Sequence, residues 1–175
     1  MKTQFEINKA KSKVAWTGRK VTGAHNGTID FKAGHIQFNE NVLSGGNFVI
    51  DTTSIKILDI TDRATNAQFA GHLASDDFFS SEQFPEASME IVHAEPRENG
   101  SYHINGDLTI KGITHPVEFD MQVNQTDNLV TASGKITIDR TKYGIRFRSG
   151  NFFTNLGDTL IYNHFDLDFT FTAEA

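Results

Sequence analysis

His72, Asp76 and Asp77 fall within the stretch GHLASDDFFSSEQFP at 71–85, where an imidazole and adjacent carboxylates crowd together. A carboxylate four residues from a histidine shares its helix face and can orient the ring for catalysis or metal binding. The chemistry this suggests is metal-assisted hydrolysis. A metal centre, however, needs three or four convergent ligands, and the spacing HxxxDD matches no zinc signature. The competing structural reading is preferred. In it Ser75, Asp76 or Asp77 caps a helical turn and His72 bonds to backbone. No catalytic residue and no metal ligand is assigned on this basis.

Other chemistry is sparse. The seven histidines are scattered, and there is no cysteine, which excludes thiol nucleophiles, disulfides and thiolate metal sites. No G-x-S-x-G elbow, P-loop or dinucleotide fingerprint occurs. One basic cluster stands out: Arg140, Lys142, Arg146 and Arg148 lie within nine residues, with Phe147, Phe152 and Phe153 interleaved. Two readings stay open. These residues form a solvated edge with arginine stems along apolar surface, or a mouth where arginines meet an anionic head group and aromatics meet its tail.

The elements that position these residues are strands. In YHINGDLTIK, Tyr102, Ile104, Gly106, Leu108 and Ile110 share one parity, and in HPVEFDMQVN so do Val117, Phe119, Met121 and Val123. LVTASGKITID and IYNHFDLDFTF alternate in the same way, with Asn163 as a polar intruder. Period two is the mark of a strand with one dry face. KVAWTGRKV, GTIDF, GHIQF and GNFVIDTTSI predict further strands, with Asn26-Gly27 and Gly45-Gly46 as expected turns. About eight short strands predict a sandwich or a closed barrel. The exception is Asp62 to Ala74, rich in alanine, which predicts one short helix capped by Thr61 and a second turn at Asp76 to Phe79.

The chain has 175 residues, the size of one domain, and 15 phenylalanines that favour a large apolar interior. Its net charge of −6 argues against nucleic acid, which needs a basic footprint. The N-terminus has no apolar core of a signal peptide, so a cytoplasmic location is expected as written, and a periplasmic one if a signal has been removed. No segment is long and apolar enough to predict a transmembrane span.

Five pieces in order carry a resemblance: SKVAWTGRKVTGAHNGTIDFKAG (12–34), FVIDTTSI (48–55), GHLASDDFFSSEQFPEASMEI (71–91), GDLTIKGITHPVEF (106–119) and IDRTKYGI (138–145), with NLGDTLI (155–161) a weaker sixth. In them the chain resembles the YceI-like family of bacterial proteins, described as polyisoprenoid-binding. The resemblance implies an all-β, lipocalin-like extended antiparallel barrel of about eight strands, 1–175 as one domain, with a helical insertion around 61–79. It implies a hydrophobic tunnel that binds a long apolar lipid, a polyprenyl phosphate or isoprenoid quinone, for transport, storage or sequestration. It implies binding rather than catalysis, and no cofactor beyond such a lipid or quinone. Whether two barrels pair as a homodimer stays open.

Inward parity nominates Trp16, Phe48, Ile104, Leu108, Phe119, Met121, Phe165 and Phe169 as tunnel residues. Arg146, Arg148, Phe152 and Phe153 are the mouth candidates, with Arg63 and His72 from the helical insertion as weaker ones.

Overall fold

The computed structural model describes residues 2–150, 156 and 160–175. Nine strands occur in it: β1 Lys2–Ile7, β2 Lys13–Lys20, β3 Gly23–Asn39, β4 Val42–Ile57, β5 Glu86–Pro96, β6 Ser101–Ile110, β7 Ile113–Gln125, β8 Leu129–Asp139 and β9 Ile161–Glu174. All pairings are antiparallel, in the order β1-β3-β2-β9-β8-β7-β6-β5-β4, and β3 pairs with β4 to close the ring. β1 covers β3 at residues 35–39 and β2 covers it at 23–29, so the two run end to end as one stave. Both also pair with β9. Nine strands thus build an eight-stave barrel with one short helix, α1 Arg63–Ala74.

The alternation predicted for β6, β7 and β8 is the alternation observed. Ile104, Leu108, Phe119, Met121, Ala132 and Ile136 are buried, while Glu118, Asp120, Gln122 and Ser133 are exposed. Closure removes the sheet edges that would otherwise invite pairing with another chain.

Two expected turns are corrected. Asn26-Gly27 lies inside β3 and Gly45-Gly46 inside β4, so GTIDF and GHIQF are parts of one 17-residue strand. These glycines serve close approach rather than turning. A Cβ on Gly27 would lie 1.7 Å from the Lys56 carbonyl oxygen and 2.6 Å from the Trp16 ring. The real β3–β4 turn is Glu40-Asn41, with φ of 52° and 65°, the positive pair that a two-residue I′ hairpin requires. Lys111-Gly112, within the expected KGIT turn, has φ of 54° and 74° and does the same for β6–β7.

The helix begins as the composition predicts, but its cap is Asp62 rather than Thr61: the Asp62 carboxylate accepts from the Thr65 amide at 2.9 Å. It ends at Ala74, with the Ser75 hydroxyl donating back to the His72 carbonyl. Leu73 is its only buried residue, so α1 sits on the barrel and contributes little to its core. No described helix is long and apolar enough to cross a membrane.

The two barrel ends differ. The hairpins β3–β4, β5–β6 and β7–β8 gather at one end with both chain termini, and there Phe5, Ile36, Phe38, Leu43, Ile104 and Val130 are at most 2% exposed. Phe5 and Phe38 meet edge to face at 5.7 Å. At the opposite end lie the β2–β3 and β6–β7 turns, α1, the segment 75–85 and the 140–150 segment.

Candidate functional site: an apolar cavity with arginines in its lining

Above the packed end the barrel encloses a cavity of about 400 Å³. Its walls are built by inward parity: Trp16 from β2, Phe31 from β3, Phe48 from β4, Leu108 from β6, Phe119 and Met121 from β7, Ile136 from β8, and Phe165 to Phe171 on alternate positions of β9. The aromatic rings interlock. Phe31, Phe48 and Phe171 lie 5.4–6.5 Å apart, and Phe169 stacks on Phe171 at 6.2 Å while meeting Phe119 edge-on at 5.8 Å. Such rings supply apolar area with no polar group to satisfy.

Seven of the eight expected tunnel residues line this cavity: Trp16, Phe48, Leu108, Phe119, Met121, Phe165 and Phe169. Ile104 does not. It has the correct parity and is fully buried, but lies four residues from Leu108 toward the packed end of β6 and outside the cavity lining.

The segment 71–85 covers the open end. Thr52 of β4 clamps it: its hydroxyl donates to the Phe84 carbonyl at 2.7 Å, its amide donates to the Pro85 carbonyl at 2.9 Å, and its carbonyl accepts from the Ser81 hydroxyl at 3.0 Å. Leu73, Phe78 and Phe79 then reach the cavity, and Phe79 packs edge-on against Phe165. Phe84 instead packs over Gly112.

His72 lines the mouth, but not as one vertex of a three-ligand cluster. Because α1 ends at Ala74, Asp76 does not share its face. His72 Nε2 lies 3.0 Å from Asp77 Oδ2, whereas Asp76 accepts from the Ser80 hydroxyl at 2.6 Å. Among the described residues no three His, Asp or Glu side chains come together to hold a metal ion. The His72 ring is instead boxed edge-on by Phe78 and Phe147, at 5.0 and 4.8 Å, and the Arg148 guanidinium lies 4.9 Å over Phe147. Asp77, His72, Phe147 and Arg148 thus form a continuous seam across the mouth. On the other side, His25 of β3 meets Phe69 of α1 at 4.9 Å and bonds Asp59 at 2.8 Å. Burial opposes ionisation of Asp59, but bonds from His25 and the Asn26 amide outweigh it and hold its pKa below the usual value. Two histidines therefore attach α1 to the rim.

Of the other mouth candidates, Arg148 lines the cavity. Arg146 and Arg63 are exposed and outside its lining. Phe152 and Phe153 lie outside the described residues.

Sequence reasoning placed Arg140 in the basic cluster but did not nominate it among the mouth residues. It is 4% exposed and lines the cavity. Its Nε donates to the Tyr162 carbonyl at 3.0 Å, Nη1 to Ile145 at 2.9 Å and Nη2 to Ile161 at 3.0 Å. Burial lowers its pKa to about 10, against a small opposing pull from Asp139, so it stays charged at neutral pH. The signal was present in the cluster 140–148, but spacing alone does not tell a buried arginine from a solvated one.

Among the described residues of the lining, Arg19, Lys20, Arg140 and Arg148 contribute cations and His25, His72 and His164 contribute imidazoles, with no carboxylate. In a chain of net charge −6 this is a local inversion. Arg19 is also tied outward, 2.7 Å from Asp166, which bridges to Thr137 on β8. This cross-strand cluster fixes the β2–β9–β8 wall behind the mouth.

Comparison with known proteins agrees with this geometry. The family model described as YceI-like domain matches residues 5–173. A UPF0312 protein of Staphylococcus epidermidis is 38% identical over 108 residues, and one of Vibrio parahaemolyticus is 27% identical over 118. These alignments cover 55% and 57% of this chain, and 60% and 58% of the relatives' own length. Among solved structures, Burkholderia cenocepacia BcnA superposes with a TM-score of 0.76 at 21% identity, covering 95% of this chain and 99% of that one. A polyisoprenoid binding domain from Saccharophagus degradans, implicated in plant cell wall breakdown, gives 0.69 at 14% identity, with 98% of both chains covered. At these identities the likeness is one of fold. With the family model spanning nearly all of it, this chain belongs to the YceI-like family.

Proposed function

We propose that the protein binds a single-chained isoprenoid lipid with an anionic head, and carries, stores or sequesters it without catalysing a reaction. The observation that carries this reading is the pairing of an apolar cavity with a lining that, among the described residues, draws its full charges from Arg19, Lys20, Arg140 and Arg148. Apolar walls give affinity for a tail, and a few placed polar groups fix its orientation. Arg140 and Arg148 are the head-group residues in this reading, because planar guanidinium donors suit phosphate or carboxylate oxygens. The arginines of the lining favour a prenyl phosphate over a neutral quinone. The description of the Saccharophagus degradans domain as polyisoprenoid binding supports the same class.

The test is mass spectrometry of an organic extract from undenatured protein. A prenyl-chain amphiphile with an acidic head is expected, retained by wild type and by Arg146→Ala and depleted at least about tenfold in Arg148→Ala. An extract without any chain amphiphile, or equal retention by both variants, contradicts the proposal.

A further inference from the structure

We propose that the outer rim of the barrel's open end docks on an anionic lipid bilayer. The proposal rests on the proposed function, since it names the surface from which the lipid is taken, but it stands on side chains of the rim. Among the described residues seven large apolar side chains are exposed, and four of them, Val21, Leu58, Ile113 and Tyr162, belong to segments that meet at the open end. Val21 lies in the β2–β3 turn, where its amide donates to the Leu160 carbonyl at 3.2 Å. The Leu58 amide donates to the Asn26 carbonyl beside that hairpin, at 3.0 Å. Ile113 opens β7, and its Cδ1 would lie 3.5 Å from a Cβ placed on Gly144. Tyr162 stands at the start of β9, its carbonyl accepting from Arg140 Nε at 3.0 Å. Of the other three, Val92 is on β5, while Val42 and Leu129 begin β4 and β8 at the closed end.

Charge selects the partner. At the open end the apolar residues follow cations: Lys20 precedes Val21, and Lys56 and Lys111 stand two residues before Leu58 and Ile113. Lys142, Arg146 and Arg148 are exposed on the segment after β8. At the closed end the charges nearest in sequence are acidic, Glu40 before Val42 and Asp127 before Leu129. The open end has carboxylates too, but most turn their oxygens into the protein. Asp59 bonds His25, Asp77 bonds His72, and Asp76 accepts from the Ser80 hydroxyl. Asp62 and Asp139 accept from the Thr65 and Thr141 amides, whereas Glu82 is exposed. An anionic surface repels a chain of net charge −6 in most orientations. With the open end in contact, a Debye length of about 8 Å screens the acidic far end. Apolar side chains beside cations suit a bilayer interface, where the former enter the acyl boundary and the latter stay at the phosphates.

The experiment is sedimentation of the intact protein with vesicles of phosphatidylcholine alone and of an equimolar mixture with phosphatidylglycerol. Partitioning onto the anionic vesicles is expected to be at least about tenfold stronger and to fall with added salt. A cation at the surface contributes about fivefold, so the double variant Lys111→Gln, Lys142→Gln should lose at least about tenfold. Val21→Ser with Leu58→Ser should lose about as much, and Val42→Ser with Leu129→Ser at the closed end nothing. All three variants should still take up farnesyl phosphate from solution, because none of these six residues lines the cavity. Equal partitioning onto both vesicles, no partitioning, or equal losses at the two ends overturns the docking surface. Dimerisation that the open-end variants abolish, without vesicle binding, assigns the rim to a second copy and also overturns it. In each case uptake of farnesyl phosphate leaves the proposed function standing. Vesicle binding through the open-end residues without such uptake supports the docking surface and overturns the proposed function.

Discussion

Arg140→Met is expected to lower folding stability by about 3–5 kcal/mol and to abolish capture of a prenyl phosphate. The side chain does two jobs. It donates to the carbonyls of Ile145, Ile161 and Tyr162, holding the 140–145 turn against the start of β9. Each carbonyl left without a partner costs about 1–3 kcal/mol when water cannot replace the donor. The guanidinium also places a buried positive charge on the cavity wall, with no carboxylate among the described lining residues. Methionine fills similar volume but supplies neither function. Arg140→Lys separates the two: it keeps the charge but cannot reach three carbonyls from one nitrogen, so most of the stability loss should persist while some binding returns. Urea denaturation with an unchanged m-value measures the first effect, and phosphate-lipid titration the second. A methionine variant within about 1 kcal/mol of wild type would show that the three bonds do not hold the turn.

Gly27→Ala is expected to cost about 4 kcal/mol or more, as large an effect as a single methyl group can have. Its Cβ would sit 1.7 Å from the backbone oxygen of Lys56, an atom that cannot move without separating β3 from β4 where the ring closes. The Trp16 ring, 2.6 Å away, blocks relief on the cavity side. Gly18 offers the control. A Cβ there meets nothing within 4 Å, so Gly18→Ala should shift stability by no more than about 1 kcal/mol. Thermal or urea unfolding of the pair decides the matter, and equal stabilities would contradict the close packing at Gly27.

Those two positions also show what the sequence made legible. Alternation along β6, β7, β8 and β9 identified the inner face residue by residue, because parity is a local property of a strand. It could not say how far down the barrel a residue sits. Ile104 and Leu108 therefore looked equivalent, although one is in the plug and the other on the cavity wall. Asn26-Gly27 and Gly45-Gly46 resembled turns because glycine permits turns and close approach alike, and only the neighbouring strand distinguishes them. In the 71–85 segment Leu73, Phe78 and Phe79 face the cavity. The pairing of His72 with Asp77 depended on where α1 stops, which a count of four residues does not reveal. Arg140 followed the same pattern: its type was visible, but its three carbonyl partners come from parts of the chain up to 22 residues away.

The chain has a single tryptophan, and Trp16 lies on the cavity wall with its indole N–H donating to the Thr28 carbonyl at 3.3 Å. Its emission is therefore a direct monitor of cavity occupancy. Titration with farnesyl phosphate, against inorganic phosphate as the head group alone, tests the central claim. Binding in the cavity predicts a saturable change in Trp16 emission with one lipid per chain, and no change with inorganic phosphate at equal concentration. Emission that stays constant while the lipid binds, or that responds equally to inorganic phosphate, would contradict it.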